Sequence, residues 1–314
     1  MDKKLNSENN VEELTYELVR IRIQQLLINQ LYLAGRFKIP IHLALGHEQI
    51  ALSLTKARDN SDDVVLSHRN LHYQLALGGS LSEIVKEFFL QEDGLANGKY
   101  GSMNLINPKR NIIYTSSILG NNLPVSVGIA YGQKVSNQKN VTWVVTGDGA
   151  IEEGAFVESL LLAKSIKVPL IIVIEDNEWS LGTKISERRS PIDLEKLAKA
   201  YGAEYVMCGQ ESLIESIDKY KEARSLAIML NSPVVIHSKV TTLGGRWVED
   251  LNSVSGKRYI NYHAGPVQGL KDNISENIVL NEEDLIAKNM SNSTSIDKIN
   301  ELVKELSAEL AWTI

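Results

Sequence analysis

The sequence predicts an α/β protein, a mostly parallel sheet flanked by helices, with its working groups at the carboxyl edge of the strands. Three observations predict it. The apolar runs 141–146 and 170–174 do not alternate with polar residues, as expected of strands covered on both faces. Between them lies a helical stretch whose predicted apolar face carries Ile151, Ala155, Ser159, Leu162, Ala163 and Ile166, at the spacing of a helix. Both runs end in polar clusters, Gly147-Asp148-Gly149 and Glu175-Asp176-Asn177. A parallel crossover brings such clusters to one sheet edge, where open α/β sheets bind ligands.

Residues 1–10 are polar and read as a mobile tail. A helix is predicted over 11–34 from Leu14, Leu18, Ile21, Leu26, Ile28 and Leu31, stopped by Gly35. Residues 62–69 read as a strand running into a loop that carries Arg69, with His72 just beyond. The stretch 94–103 is a glycine-rich loop. Residues 116–120 lead into a helix over 125–130, where Ser126, Gly128 and Ala130 allow close packing on the sheet. Beyond the central unit the pattern gives a helix over 193–201, a strand over 203–208, a helix over 212–230 and a buried strand over 233–236. From about residue 270 the chain turns polar and helical. The expected division is a tail at 1–10, an α/β domain over 11–270, and a helical C-terminal extension over 271–314 that packs on the body or on a partner.

A chain of 314 residues is long enough to bury a substantial core. Its net charge of −6 offers no basic footprint for nucleic acid. No apolar run reaches the roughly 18 residues of a membrane span, and the N-terminus has no signal-peptide core. Cys208 is the single cysteine, so no internal disulfide forms. These features point to a cytoplasmic protein without a nucleic-acid or membrane partner.

Asp148 and Asn177 stand 29 residues apart, the length of one crossover between parallel strands. A hard carboxylate, an amide oxygen and a backbone carbonyl suit Mg²⁺, which takes further ligands from water and substrate phosphates. A helix starting near Ala150 would aim its free N–H groups at the same place, which favours a phosphate. A nicotinamide fingerprint is excluded, because Glu152 stands where the third glycine belongs.

Gly147-Asp148-Gly149 followed by Asn177 resembles the signature of the thiamine-diphosphate fold. The wider stretch, with Glu153-Gly154, Glu158 and Leu181-Gly182-Thr183, resembles the alpha subunit of 2-oxo acid and acetoin dehydrogenases. Ile21-Arg22, Lys38-Ile39-Pro40, Gly46-His47-Glu48 and Gly101-Ser102-Met103 are similar to segments of that family, and the likeness covers roughly 11–270. It implies thiamine diphosphate and Mg²⁺ as cofactors, with Asp148, Asn177 and the carbonyl of Trp179 as metal ligands. It places Arg69, Gly147, Gly149, Ala150 and Leu181 at the cofactor, and the backbone near Ser117 and Leu119 against its aminopyrimidine ring. It also implies a beta-type partner that carries the pyrimidine-binding domain and an activating glutamate, a small-molecule carbonyl substrate, and a lipoyl domain as acceptor. The first residue of the family's Asn-Asn pair is Asp176 here, which alters the charge beside the ligand.

Other stretches depart from that family. The loop Ser238-Lys239-Val240-Thr241-Thr242-Leu243-Gly244 lacks the family's His-Gly-His-Ser. Together with Tyr262-His263-Ala264-Gly265-Pro266 it is more similar to transketolases and deoxyxylulose-phosphate synthases. The family's histidine after Arg69 is Leu71 here, and His72 stands one place later. His263, His72 and His42 are therefore the candidate catalytic histidines, each equally readable as a structural one. The resemblance implies cleavage of a carbon–carbon bond next to a carbonyl, by a 2-oxo acid or acetoin dehydrogenase component. The alternatives are a transketolase-like ketol or acyl transferase subunit, and a non-catalytic scaffold that keeps the fold.

Overall fold

The computed structural model describes residues 2–281, 284–290 and 296–311. The chain opens with helix α1 (Asp2–Leu33), which takes in most of the segment expected as a tail. Next come α2 (Glu48–Ala57), strand β1 (Asp63–Ser67), α3 (Leu71–Ala76), α4 (Leu81–Phe88), β2 (Ile112–Ser116) and α5 (Asn122–Val135). The central unit follows as β3 (Thr142–Gly147), a 3-10 turn (Ala150–Glu152), α6 (Gly154–Ser165) and β4 (Leu170–Asp176). A short pair, β5 (Trp179–Ser180) and β6 (Thr183–Lys184), leads into α7 (Ile185–Arg188) and α8 (Leu194–Ala200). Then come β7 (Glu204–Cys208), α9 (Leu213–Leu230) and β8 (Pro233–Lys239). A hairpin, β9 (Gly245–Glu249) and β10 (Lys257–Asn261), precedes the C-terminal helices α10 (Leu285–Asn289) and α11 (Ile296–Ala311).

Six strands form one sheet in the order β2-β1-β3-β4-β8-β7, and every neighbouring pair is parallel. From β1 the chain steps outward to β2, then returns to the other side of β1 for β3. That reversal opens a crevice at the carboxyl ends of β1 and β3, the usual ligand position in such sheets. Because Gly147 on β3 registers with Glu175 on β4, the two polar clusters end level with each other.

Strand alternation divides the core into two layers. Val145, Ile171 and Val173 pack with Ile50 and Leu54 of α2, Tyr73 of α3 and Tyr220 of α9. Val144, Ile172 and Ile174 pack with Val127 of α5, Phe156 and Leu160 of α6 and Ala198 of α8. A third cluster joins α1, through Leu18, Ile23 and Ile28, to Leu302, Leu306 and Leu310 of α11. The fully buried Arg22 ties the same pieces together, donating to Glu48 (2.6 Å), Asp284 (2.7 Å) and the carbonyl of Ile278 (2.8 Å). A buried guanidinium is tolerable only when its donors are met in this way.

Two expectations need correction. The helix expected from Ala150 starts at Gly154, because Glu153 sits in the extended region (φ −75°, ψ 140°) after the 3-10 turn. Its buried face is Phe156, Ser159, Leu160 and Ala163, while Leu162 is half exposed. The hairpin β9–β10 falls where no strands were expected. No helix among the described residues is long and apolar enough to cross a membrane.

Candidate active site

The ends of β1, β2, β3 and β4 line one cavity of about 290 Å³ through Ser67, Ser116, Gly147 and Glu175. A larger groove of about 410 Å³ runs between α1 and α11, past Tyr16, Val19, Ile299 and Leu302, and shares no lining residue with the strand-end cavity.

Asp148 and Asn177 both line the strand-end cavity, with Trp179 beside them. The Asp148 carboxylate is buried and lies 2.6 Å from the Arg188 guanidinium, which also holds Glu152 at 2.8 Å. Burial raises the Asp148 carboxyl to about 6, against the pull of Arg188 and with the help of the nearby Asp176 charge. The Asn177 amide is held at both ends. Its oxygen accepts from the Trp179 N–H at 3.0 Å and its nitrogen donates to Thr242 Oγ1 at 2.7 Å.

The two turn glycines serve different ends. A Cβ on Gly149 would come 3.1 Å from Ser180 Oγ, so the turn packs closely there. A Cβ on Gly147 would meet no protein atom nearer than 4.0 Å, so its bare backbone borders open space. Ala150 lines the same wall, while Leu119 and Leu181 stand largely exposed at it. Ser117 is also in the wall, its N–H donating to Asn104 Oδ1 at 3.1 Å. Arg69 lines the cavity too, but its guanidinium donates to the carbonyls of Leu43 and His263 and lies over the Tyr262 ring at 5.8 Å.

His42 and His263 converge in the cavity with a third ring, His68. The centroids stand 4.8 Å (His42–His68), 5.0 Å (His42–His263) and 5.9 Å (His68–His263) apart. Burial, and then the Arg69 charge, lower His42 to about 2 and His68 and His263 to about 4. All three rings are therefore neutral near pH 7.

His72 sits elsewhere. It is fully buried in α3, outside the lining, and meets the cavity wall from behind, at Glu175, with Nε2 2.9 Å from Oε1, and at the His47 ring, 5.7 Å between centroids. Glu175 also takes the Tyr73 hydroxyl (2.6 Å) and His47 Nδ1 (3.0 Å). Burial opposes the Glu175 charge, but His72 and His47 outweigh it and hold the carboxyl well below the usual range.

Sequence reasoning passed over His47, His68, Glu175, Arg188 and Thr242 as site residues. His68 adjoins Arg69 at a strand end and Glu175 opens the second polar cluster, so both carried a positional signal. Arg188 carried none, since it reaches Asp148 from a four-residue helix 40 positions on.

The donor set fits a diphosphate held through a hard cation. Asp148, Asn177 and the Trp179 carbonyl offer oxygen, which is what Mg²⁺ requires. The space against Gly147 admits a ligand backbone-close, and Thr146 Oγ1 and His42 Nδ1 are buried in the wall without a hydrogen-bond partner.

Comparison with known proteins gives the family. The family model described as "Dehydrogenase E1 component" matches residues 19–310, from within α1 into α11. The pyruvate dehydrogenase E1 component subunit alpha of Rickettsia bellii is 25% identical over 97% of this chain and 93% of its own length. The mitochondrial subunit of the same name from Chaetomium thermophilum is 25% identical over 89% of this chain and 68% of its own length. Among solved structures, a Pichia stipitis transketolase superposes over 96% of this chain with a TM-score of 0.60 and 18% identity, a likeness of fold. The chain spans about half of that transketolase, 46% of its length. This chain belongs to the dehydrogenase E1 component family, as an alpha-type subunit of a thiamine-diphosphate-dependent enzyme that works with a beta-type partner.

Proposed function

We propose that the strand-end cavity holds the diphosphate of thiamine diphosphate through Mg²⁺, and that the enzyme acts on a 2-oxo acid and passes the fragment to a lipoyl domain. One observation carries the reading: Asp148 and Asn177, from adjacent strand ends, line the same cavity. Asp148, Asn177 and the Trp179 carbonyl hold the cation in this reading, and Gly147 lets the diphosphate approach the backbone. When bound, thiamine diphosphate supplies the carbanion chemistry for cleaving a bond next to a carbonyl. The chain's own residues position and insulate. Arg188 balances the Asp148 charge at the position where the cation would be held. The neutral rings of His42, His68 and His263 offer acceptor nitrogens and N–H donors to the polar end of a substrate.

The activating glutamate belongs to the beta-type partner in this reading. Two carboxylates, Asp148 and Glu175, stand among the described lining residues. Arg188 engages the first, and His47, His72 and Tyr73 engage the second. A cytoplasmic setting belongs to the same reading, supported by the single, buried thiol of Cys208.

Calorimetry with thiamine diphosphate and Mg²⁺, on the chain assembled with its partner, tests cofactor binding. Cation-dependent uptake is expected, and no uptake would favour a scaffold. Reductive acylation of a lipoyl domain by a 2-oxo acid tests the reaction. The histidine trio favours a second reading, transketolase-like transfer from a polyhydroxylated donor. Activity with ketose donors and none with the lipoyl domain would select it.

A further inference from the structure

We infer that Thr242 is a positioning residue for the cation site, locking the Asn177 amide with its oxygen turned toward the ion, with His47 and Glu175 fixing its hydroxyl from behind. The inference rests on the cation-binding reading above. An amide can sit either way round in a site, and only one orientation offers oxygen to a metal. Here the neighbouring groups decide it.

The chain of hydrogen bonds has one consistent direction. The Glu175 carboxylate accepts on both oxygens, from the Tyr73 hydroxyl and His72 at Oε1 and from His47 at Oε2. Since a carboxylate has no proton to give, His47 Nδ1 carries the hydrogen in that 3.0 Å contact. The backbone fixes the other end: the Trp179 N–H can only donate, so the Asn177 atom it meets is Oδ1, and Nδ2 is the atom turned to Thr242. With the His47 hydrogen on Nδ1, Nε2 accepts from its partner at 2.7 Å, the Thr242 hydroxyl. Its oxygen then has only lone pairs left for Asn177, and accepts from Nδ2 at 2.7 Å. Asn177 Oδ1 accordingly faces away from Thr242. One of its lone pairs takes the Trp179 N–H and the other remains for a cation.

The backbone is shaped to bring these groups together. Thr242 sits in the loop after β8, and the Leu243 N–H donates to the Leu45 carbonyl at 2.8 Å. Gly46 has φ +96°, and a Cβ there would stand 2.0 Å from the Thr241 carbonyl oxygen. Only glycine lets the His47 loop lie against the Thr242 loop this closely. Thr242 and His47 are 4% and 1% exposed, so water does not compete for their hydrogen bonds.

The test uses the chain assembled with its beta-type partner and Mn²⁺ as the probe, read by electron paramagnetic resonance in the presence of thiamine diphosphate. The variants are Thr242→Val, which keeps the volume, and Thr242→Ser, which keeps the hydroxyl. Groups that orient metal ligands typically cost 10–100-fold in affinity when removed. Thr242→Val is expected to weaken Mn²⁺ by at least about tenfold, and Thr242→Ser to restore it to within about threefold of wild type. Wild-type affinity in Thr242→Val, or equal losses in both variants, would overturn the inference while leaving the cation site intact. Failure of the wild-type assembly to take up Mn²⁺ would overturn the cation-binding reading and this inference with it.

Discussion

Acidification should cost this protein stability through the three imidazoles that share its cavity. His42, lowered to about 2, and His68 and His263, lowered to about 4, carry no proton in the folded chain near pH 5. In the unfolded chain each returns to roughly 6.5 and is charged at that pH. Below about pH 6.5 the unfolded state therefore binds more protons, and stability falls with pH until the folded groups themselves protonate near about pH 4. For a group shifted from roughly 6.5 to about 4, the loss between about pH 7 and about pH 5 is about 2 kcal/mol. Part of the shift at His42 and His68 is repulsion within the trio, which is felt only once a second ring is charged. Halving the three-residue sum for that coupling leaves about 3 kcal/mol. Urea unfolding at the two pH values, on wild type and on a His42→Gln/His68→Gln/His263→Gln variant, gives the difference directly. His47 is also lowered by burial, but it is present in both proteins and cancels. The wild type should lose about 3 kcal/mol more than the variant on acidification. Equal losses in the two would refute the claim that the cavity holds these rings neutral.

Two further substitutions separate binding from folding. Gly147→Ala adds a Cβ that meets no protein atom nearer than 4.0 Å, so unfolding should shift by less than about 1 kcal/mol, in the range of an uncrowded substitution. Cation-dependent thiamine diphosphate binding, measured by calorimetry, should nevertheless weaken at least about tenfold, or about 1.4 kcal/mol; unchanged affinity would place the diphosphate elsewhere. Glu87→Gln strikes the loop over 94–103, where the two Glu87 oxygens accept the backbone N–H groups of Ala96, Gly98, Tyr100 and Gly101. An amide NH₂ in place of one oxygen faces two donors, so a loss of about 2–3 kcal/mol is expected in urea unfolding, with faster proteolytic nicking of that loop.

The parts of the fold legible in the sequence were those set by local pattern. The two unbroken apolar runs and their polar ends marked β3 and β4, and hence the edge where Asp148 and Asn177 meet. Periodicity failed where it was degenerate. Leu160, Leu161 and Leu162 stand in a row, and only the packed structure decides that Leu160 is inside and its two successors half exposed. The hairpin β9–β10 was missed because little of it is buried, so Gly245–Glu249 shows no strong apolar signal. At the site, sequence reasoning found the residues that a motif brackets and passed over those recruited from afar. His47 reaches Glu175 across 128 positions and Thr242 across 195. Such separations leave no trace in local spacing. His72 shows the converse. A histidine close to Arg69 in sequence is a candidate catalytic residue, yet a helix places it inward, on the buried side of Glu175.

The same strand alternation explains why Asp176 can stand where the resembled family has asparagine. Consecutive residues of a strand point to opposite faces. Ile171 and Val173 pack toward α2, α3 and α9, and Glu175 continues that face into His47, His72 and Tyr73. Ile172 and Ile174 pack toward α5, α6 and α8, so Asp176 leaves on that other side. There it meets His237, which registers with Ile174 and lies 2.8 Å away through Nε2, while His237 Nδ1 contacts the Tyr205 hydroxyl at 2.9 Å. Burial opposes the Asp176 charge, but the hydrogen bonds from His237 and the Glu178 N–H outweigh it and keep the carboxyl low. The extra charge is thus absorbed by its own partners, and its reach to the neighbouring strand end is electrostatic, felt at Asp148 as part of the rise in its carboxyl. One residue further on, Asn177 returns to the face of Glu175 and meets Thr242. A change at the first position of the pair therefore leaves the second free to present its amide, because the two side chains never share a face.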